Sequence, residues 1–323
     1  MKAIVGDTYG TTEVLEFRDV DVPEIAADEV LIRVRAAGVD RGVWHLLTGL
    51  PYPVRFAGYG VRAPKYPTPG MDLAGVVEAV GERVTRFAPG DEVFGIGKGA
   101  YAEYARAPEA KLAHKPVNLT FEQAASVGIS GSTALQGLRD RGRVSPGQRV
   151  LILGASGGVG SFAVQLAKAF GAEVTGVCST AKLSMVREWG ADHVIDYTRE
   201  DFARGRRRFD VILDIGGNRT LSDLRSVLTD DGTLVIVGGE TGGRWLAGYD
   251  RMLRAPLMSR FVSQTLGTLA CSENSADLEV LAGMIESGMV TPAIDRTFPL
   301  VEAGDAIQYL ADGRACGKVV VTV

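Results

Sequence analysis

The stretch LILGASGGVGS, residues 151–161, places four glycines within seven positions, directly after an aliphatic run and directly before the helical pattern SFAVQLAKAF. Glycine disfavours a helix by about 1 kcal/mol relative to alanine, so a cluster at a strand-to-helix junction needs a cause. The spacing fits Ala-x-Gly-x-x-Gly through Ala155, Gly157 and Gly160. In a βαβ unit such glycines make the tight turn, let the backbone approach a pyrophosphate and let helix pack closely on strand. The helix N-terminus adds unpaired N–H groups and partial positive charge. Ser156, Gly157, Gly158 and Val159 are therefore the candidate phosphate contacts, with close strand–helix packing alone as the competing explanation.

The surroundings favour the first cause. From Arg149 onward VLIL (150–153), EVTGVC (173–178), DVILDI (210–215) and TLVIVG (233–238) read as strands. Helical stretches between them end at Gly171 and Gly190, as suits a left-handed C′ residue. Continuously aliphatic strands alternating with helices predict a parallel sheet covered on both faces. Residues 1 to about 120 differ: VLIRVRAAGV, AGVVEAVG, DEVFGI and AEYARA are short β-rich runs between Gly and Pro, without intervening helical patterns. Thr120 and Gln123 have capping-box spacing where the style changes. After the helical ADLEVLAGMIESG, the runs AIDRTFPL and GKVVVTV return to β character. The fold class is α/β: a Rossmann dinucleotide-binding domain over 123–274, and an irregular β-rich domain over 1–122 and 275–323.

The end of the second strand of the alternating series selects the dinucleotide. An acid there would take the ribose 2′-hydroxyl of NAD. Cys178 stands in that place, followed by Ser179, Thr180 and Lys182. Hydroxyls and an ammonium suit a 2′-phosphate, so NADPH is the expected cofactor. Ser179 and Thr180 also read as helix-capping residues, which is compatible with phosphate binding.

The segments GMDLAGVVEAVG, PGDEVFG, AASVGISGSTAL, LGASGGVG, GADHVIDY and GKVVVTV, in this order, resemble the medium-chain dehydrogenase/reductase superfamily. They look most like its zinc-independent quinone oxidoreductases and double-bond reductases. The resemblance runs nearly end to end and implies a GroES-like catalytic domain, a Rossmann domain, a cleft between them and often a homodimer. It implies a nicotinamide end near Asp40, Thr133, Gly216, Gly217 and Gly238, an adenine end near Ser179, Lys182 and Tyr197, and Lys318 closing the site from the tail. The zinc enzymes of the superfamily need a cysteine and a His-Glu pair where this chain has Asp40 and Met71-Asp72. Asp40, His45 and Asp72 offer at most an oxygen-rich set, unlike the Cys and His ligands zinc favours. No metal is expected, and without a Lewis acid direct alcohol oxidation loses its main support.

Two catalytic candidates follow. His45 stands where the quinone reductases often have Tyr, and an imidazole titrating near neutrality can donate a proton to a substrate oxygen or enolate carbon. It equally suits a hydrogen bond to ribose or a polar gap. Asp40, where Asn is usual, is placed to stabilise the oxidised nicotinamide ring or to accept a ribose hydroxyl. The segment 50–67, with Tyr52, Phe56, Tyr59 and Tyr66, reads either as a substrate mouth or as a pinned surface loop. His114 and His193 read as structural.

The function expected is reduction of quinones or α,β-unsaturated carbonyls by hydride from nicotinamide C4. A zinc-free NADP-dependent alcohol dehydrogenase and a non-catalytic NADPH-binding protein are the alternatives. A net charge of −4, with Arg206–Arg208 as the one basic run, argues against a nucleic-acid partner. Three widely spaced cysteines give no disulfide framework or zinc knuckle. With no signal-like h-region and no apolar run of membrane-spanning length, the expected location is cytoplasmic. The basic, partly apolar segment 244–261 reads as packing beside the cofactor domain or at a dimer contact, or as lying on a membrane surface.

Overall fold

Short strands separated by turns dominate the beginning of the chain in the computed structural model, which describes residues 1–239, 243–245 and 248–323. In chain order these are β1 (Lys2–Val5), β2 (Glu16–Asp19), β3 (Glu29–Val39), β4 (Asp72–Val80), β5 (Glu92–Ile96), β6 (Tyr104–Pro108) and β7 (Leu112–His114). Helix α1 (Arg41–Thr48) interrupts them after β3. Helices α2 (Phe121–Ala125) and α3 (Gly128–Gln136) lead to β8 (Arg149–Leu153), α4 (Gly158–Ala169), β9 (Glu173–Cys178), α5 (Leu183–Glu188) and β10 (His193–Asp196). Then come β11 (Phe209–Asp214), α6 (Leu221–Ser226), β12 (Leu228–Ile236), α7 (Tyr249–Ser259) and β13 (Thr265–Thr268). The chain closes with α8 (Ser275–Glu286), β14 (Ile294–Pro299), α9 (Ala303–Ala311) and β15 (Lys318–Thr322).

The elements form two compact units. The first holds Met1–Ser132, Ser272–Gly288 and Pro292–Val323; the second holds Thr133–Cys271 and Met289–Thr291. In the first unit the sheet order is β14-β15-β3-β4-β5-β7, with β6 on the remaining edge of part of β3. Its pairings are antiparallel except β14 with β15. Ile32, Leu73, Phe94, Ile96 and Leu112 are fully or almost fully buried on these strands. Helix α9 adds Ala303, Ala306 and Ile307 to the core that holds Ile32, Leu73 and Leu112.

Helix α1 was not visible as a pattern in the sequence. It buries only Val43 and Leu47, one i,i+4 pair, too short a stretch for a 3.6-residue period to register. It ends at Gly49, which is in the left-handed region at φ 61°.

The second unit is a six-stranded parallel sheet of order β10-β9-β8-β11-β12-β13. Four of the five residues of β8 and five of the six of β9 are buried, as expected for strands covered on both faces. Strand β12 begins five residues before the expected Thr233, since Leu228 already pairs with Phe209. The exposed Asp230 and Asp231 conceal that start in the sequence.

Thr120 accepts from the backbone of Gln123 at 3.3 Å, and the Gln123 side chain accepts from the backbone of Thr120 at 3.0 Å. This capping box fixes the start of α2. Thr120→Ala should cost about 1 kcal/mol of stability in urea unfolding; no measurable loss would show that α2 is held by packing alone.

Candidate active site

The glycine loop leaves β8 at the topological switch of the parallel sheet. Strand β8 lies between β9 and β11, so the chain departs to opposite sides from two neighbouring strands and a crevice opens at their carboxyl ends. Gly154 turns the chain at φ 82°. A Cβ on Gly160 would stand 2.2 Å from the Gly154 carbonyl oxygen, so only glycine lets α4 approach this closely. Gly157 is the N-cap of the twelve-residue α4 and has no side-chain cap. A Cβ on Gly157 would meet only one atom, at 3.5 Å, so the space before the helix end is open. Ser156, Gly157, Gly158 and Val159 thus converge where N–H groups lack intrahelical partners, a fit for the pyrophosphate of a dinucleotide. Gly216 lies two residues beyond the end of β11, its nitrogen 3.2 Å from the position a Gly154 Cβ would take.

At the end of β9, Cys178 is buried, Ser179 half-buried and Lys182 in the short helical turn Thr180–Lys182. Tyr197 is 53% exposed, and its amide donates to the Cys178 carbonyl at 3.2 Å. Thr180 departs from expectation, because its hydroxyl donates to the carboxylate of Asp196 on β10. Asp196 also accepts from the Thr198 amide at 3.0 Å and hydroxyl at 2.7 Å. Hydrogen bonds from Thr180 and Thr198 hold the Asp196 carboxyl below its ordinary value. In this arrangement the Thr180 hydroxyl proton is directed to Asp196.

Sequence reasoning missed Asp214 and Arg251. Asp214 ends β11, fully buried, with Arg251 of α7 at 2.8 Å and the Gly217 amide donating at 3.0 Å. Arg251 also donates to the carbonyls of Arg219 and, at 3.2 Å, Gly238. Burial raises the Asp214 carboxyl, and Arg251 opposes that rise. The pair ties α7 to the loops after β11 and β12. The basic segment 244–261 therefore turns Arg251 inward, while Leu253, Leu257 and Phe261 remain exposed. Leu246 and Ala247 of that segment lie outside the described residues. A buried aspartate at the end of an aliphatic strand was the only available hint.

In the first unit, Lys318 at the start of β15 is 1% exposed. Its ammonium donates to Asp40 at 2.5 Å, Ser130 at 3.1 Å and Asp72 at 3.3 Å. Ser130 donates to the same Asp40 oxygen at 2.9 Å, and the Ile129 amide to Asp72 at 2.8 Å. Burial alone would raise the Asp40 carboxyl, but the Lys318 charge and hydrogen bonds outweigh it and hold it low. Asp72 is pushed well above the carboxylate range, by burial first and then by the Asp40 charge. Burial lowers the Lys318 ammonium, yet the two carboxylates outweigh it and raise it. Asp40 and Lys318, both expected beside the cofactor, are thus each other's counter-ions. All three ammonium protons of Lys318 have protein acceptors. Thr133 lies one turn after Ser130 on α3 and is 7% exposed.

Asp40 is also the N-cap of α1 but makes no side-chain cap bond, its carboxylate being directed to Lys318. Half-buried on α1, His45 has Nδ1 2.8 Å from the Leu50 carbonyl oxygen. That oxygen only accepts, so Nδ1 carries the proton and Nε2 holds the lone pair of the neutral ring. A cavity of about 280 Å³ adjoins the other face of α1, between Leu46 and Leu47, Tyr59, Tyr66, Met71 and the turn after β5. In the 50–67 segment Arg55 stacks on Tyr9 and Tyr52, pinning the loop, while Phe56 is 71% exposed. Thus that segment is both pinned and cavity-lining. His114 packs on Phe87 and His193 pairs with Glu173.

Residues 26–117 match the alcohol dehydrogenase GroES-like domain family and 189–321 the zinc-binding dehydrogenase family. The chain is 36% identical over 337 residues to the tomato (Solanum lycopersicum) 2-methylene-furan-3-one reductase, covering 99% of this chain and 79% of that protein. It is likewise 36% identical over 338 residues to the quinone oxidoreductase of Pseudomonas aeruginosa, covering 99% of each. The chain belongs to the medium-chain dehydrogenase/reductase superfamily, in its zinc-independent quinone oxidoreductase group. It is an oxidoreductase. A mycobacterial member whose structure is complexed with NADPH superposes with TM-score 0.84 at 29% identity, covering 100% of both chains.

The zinc of the wider superfamily does not fit this chain. Its ligand positions carry Asp40 and Met71, and Lys318 supplies the positive charge beside Asp40 and Asp72. A dinucleotide does fit the glycine loop, on the open space before Gly157.

Lys318→Met strands an ionised Asp40 in the interior and should cost about 3–5 kcal/mol in urea unfolding. Asp72→Asn mimics the neutral carboxyl. Because the folded state raises the Asp72 carboxyl, its stabilisation is complete below the ordinary carboxylate range and is lost as pH rises through the folded value. The stability of Asp72→Asn relative to wild type should therefore grow with rising pH. A difference independent of pH would mean that Asp72 is ionised in the fold.

Proposed function

We propose that this medium-chain dehydrogenase/reductase uses NADPH to reduce quinones or α,β-unsaturated carbonyls without a metal. The observation that carries the reading is Lys318, whose ammonium stands between Asp40 and Asp72 where a Lewis acid would be held. Each of its protons has a protein acceptor, so it offers no bond to an alcohol or alkoxide oxygen. An acceptor reduced here must bring its own electrophilic centre, as a quinone or a conjugated carbonyl does.

NADPH bound at the glycine loop supplies hydride from nicotinamide C4. Ser156, Gly157, Gly158 and Val159 hold the pyrophosphate, with Gly216, Gly238 and Thr133 toward the nicotinamide. Ser179, Lys182 and Tyr197 take the adenosine 2′-phosphate end. The Arg251–Asp214 pair fixes the loops that carry Gly217 and Gly238. His45 keeps its Nδ1 proton on the Leu50 carbonyl, and the proton it passes to the acceptor oxygen or enolate carbon is one that Nε2 has first taken up from solvent. Hydride and proton together add two hydrogens to the acceptor. The Leu253, Leu257 and Phe261 stripe, exposed on and just beyond α7, suits a homodimer contact. No helix among the described residues is long and apolar enough to cross a membrane. None of the three cysteines is in a disulfide, which suits a cytoplasmic setting.

Purified protein should oxidise NADPH with 1,4-naphthoquinone or but-3-en-2-one. Tight NADPH binding without turnover on any such acceptor would instead mark a binding protein. In stopped-flow and steady-state assays His45→Phe should lower kcat about 100-fold; unchanged turnover would leave water as the proton source. Lys182→Ala should lower the NADPH-to-NADH preference in kcat/KM about tenfold. An NADH preference in the unaltered protein would overturn the cofactor assignment.

A further inference from the structure

The last carbonyls of a helix have no partners within it, and those around the closing turn of α1 go to donors outside it. The Leu47 carbonyl accepts from the Gly10 amide at 3.1 Å. Arg55 takes the next two: its Nε donates to the Gly49 carbonyl at 2.9 Å and its Nη2 to the Thr48 carbonyl at 3.4 Å. A cation there also meets the negative end of the helix dipole. One residue on, the Leu50 carbonyl accepts from Nδ1 of His45.

The guanidinium is itself held. Its central carbon lies 4.3 Å from the centre of the Tyr9 ring and 5.0 Å from that of Tyr52. The Tyr9 hydroxyl in turn donates to the carbonyls of Tyr59, at 3.1 Å, and Gly60. Gly49 lies against both partners: a Cβ there would stand 2.6 Å from Arg55 Nε and 2.7 Å from the Tyr9 ring. A side chain at 49 would displace the fork.

His45 closes the same turn from the other side. Its carbonyl accepts from the amides of Gly49 and, at 3.2 Å, Leu50. The peptide joining Gly49 to Leu50 is thus held at both ends, its oxygen by Arg55 and its nitrogen by His45.

We infer that Arg55 is a positioning residue for His45: by fixing the Gly49–Leu50 peptide it keeps the Leu50 carbonyl on Nδ1, and so keeps the lone pair at Nε2. That lone pair takes up the proton destined for the acceptor. The bearing on proton transfer rests on the reduction proposed above; the positioning does not. Lysine cannot replace Arg55, since an ammonium has no planar fork to span two carbonyls while stacking between two rings.

The chain has three histidines, so the tautomer can be read by proton–nitrogen correlation spectra of protein labelled at histidine, at a pH above the imidazole range. His45, assigned by its loss in His45→Phe, should be the Nδ1–H form. Arg55→Met and Arg55→Lys should both move it toward the Nε2–H form and leave His114 and His193 unmoved. With but-3-en-2-one, kcat should fall about tenfold in both, with KM for NADPH unchanged. An Nε2–H ring in the unaltered protein, an unmoved tautomer in Arg55→Met, or full rescue by Arg55→Lys overturns the inference. Should His114 and His193 shift as well, the variant has lost its fold. Tyr52→Leu, which removes one stacking ring, then decides: a partial shift of His45 alone supports the inference and no shift overturns it. A shifted tautomer with unchanged kcat supports the positioning and removes His45 as proton donor.

Discussion

The Lys318 ammonium is the interaction on which the first unit depends. It joins residues 278 positions apart, bringing the last strand against Asp40, at the start of α1, and Asp72, at the start of β4. Burying a charge costs several kcal/mol unless partners and hydrogen bonds compensate it. Here one cation faces two carboxyls, of which Asp72 is held toward its neutral form. The cluster then carries one positive and one negative charge, with Ser130 and the Ile129 amide filling remaining sites. The same arrangement sets the entry of α1, and through it the position of His45.

The second unit solves a related problem with a different pair. Its sheet is parallel, so every strand ends on the same side and the loops there carry the ligand contacts. Glycine-rich loops are the least constrained backbone available. Asp214 and Arg251 supply the missing constraint: one carboxylate and one guanidinium engage Gly217, Arg219 and Gly238. Planar, always charged arginine suits such a buried fork better than lysine would. The glycines provide close approach and the ion pair provides position.

What was legible in the sequence follows from the range of the forces involved. The βαβ series and the capping box of Thr120 and Gln123 are local, written in periodicity and in residues three apart. Strands β8 and β9 fall within one residue of their expected limits for that reason. The cores of α1 and α9 were not legible, since each presents only a turn or two of apolar spacing. Nor was the partnership of Asp40 with Lys318, because nothing near either residue names the other. Nor was the bond from Thr180 to Asp196, which comes from the neighbouring strand, so that only the sheet order brings the two together.

The substitution at the old metal positions also bears on which acceptors suit the fold. A zinc ion both fixes its ligands and polarises an oxygen; the lysine does only the first. Its charge is enclosed by Asp40, Asp72 and Ser130 and is 1% exposed, so it projects little field toward a substrate oxygen. For the proposed reduction, conjugation in the acceptor supplies the electrophilic centre that the enclosed lysine does not.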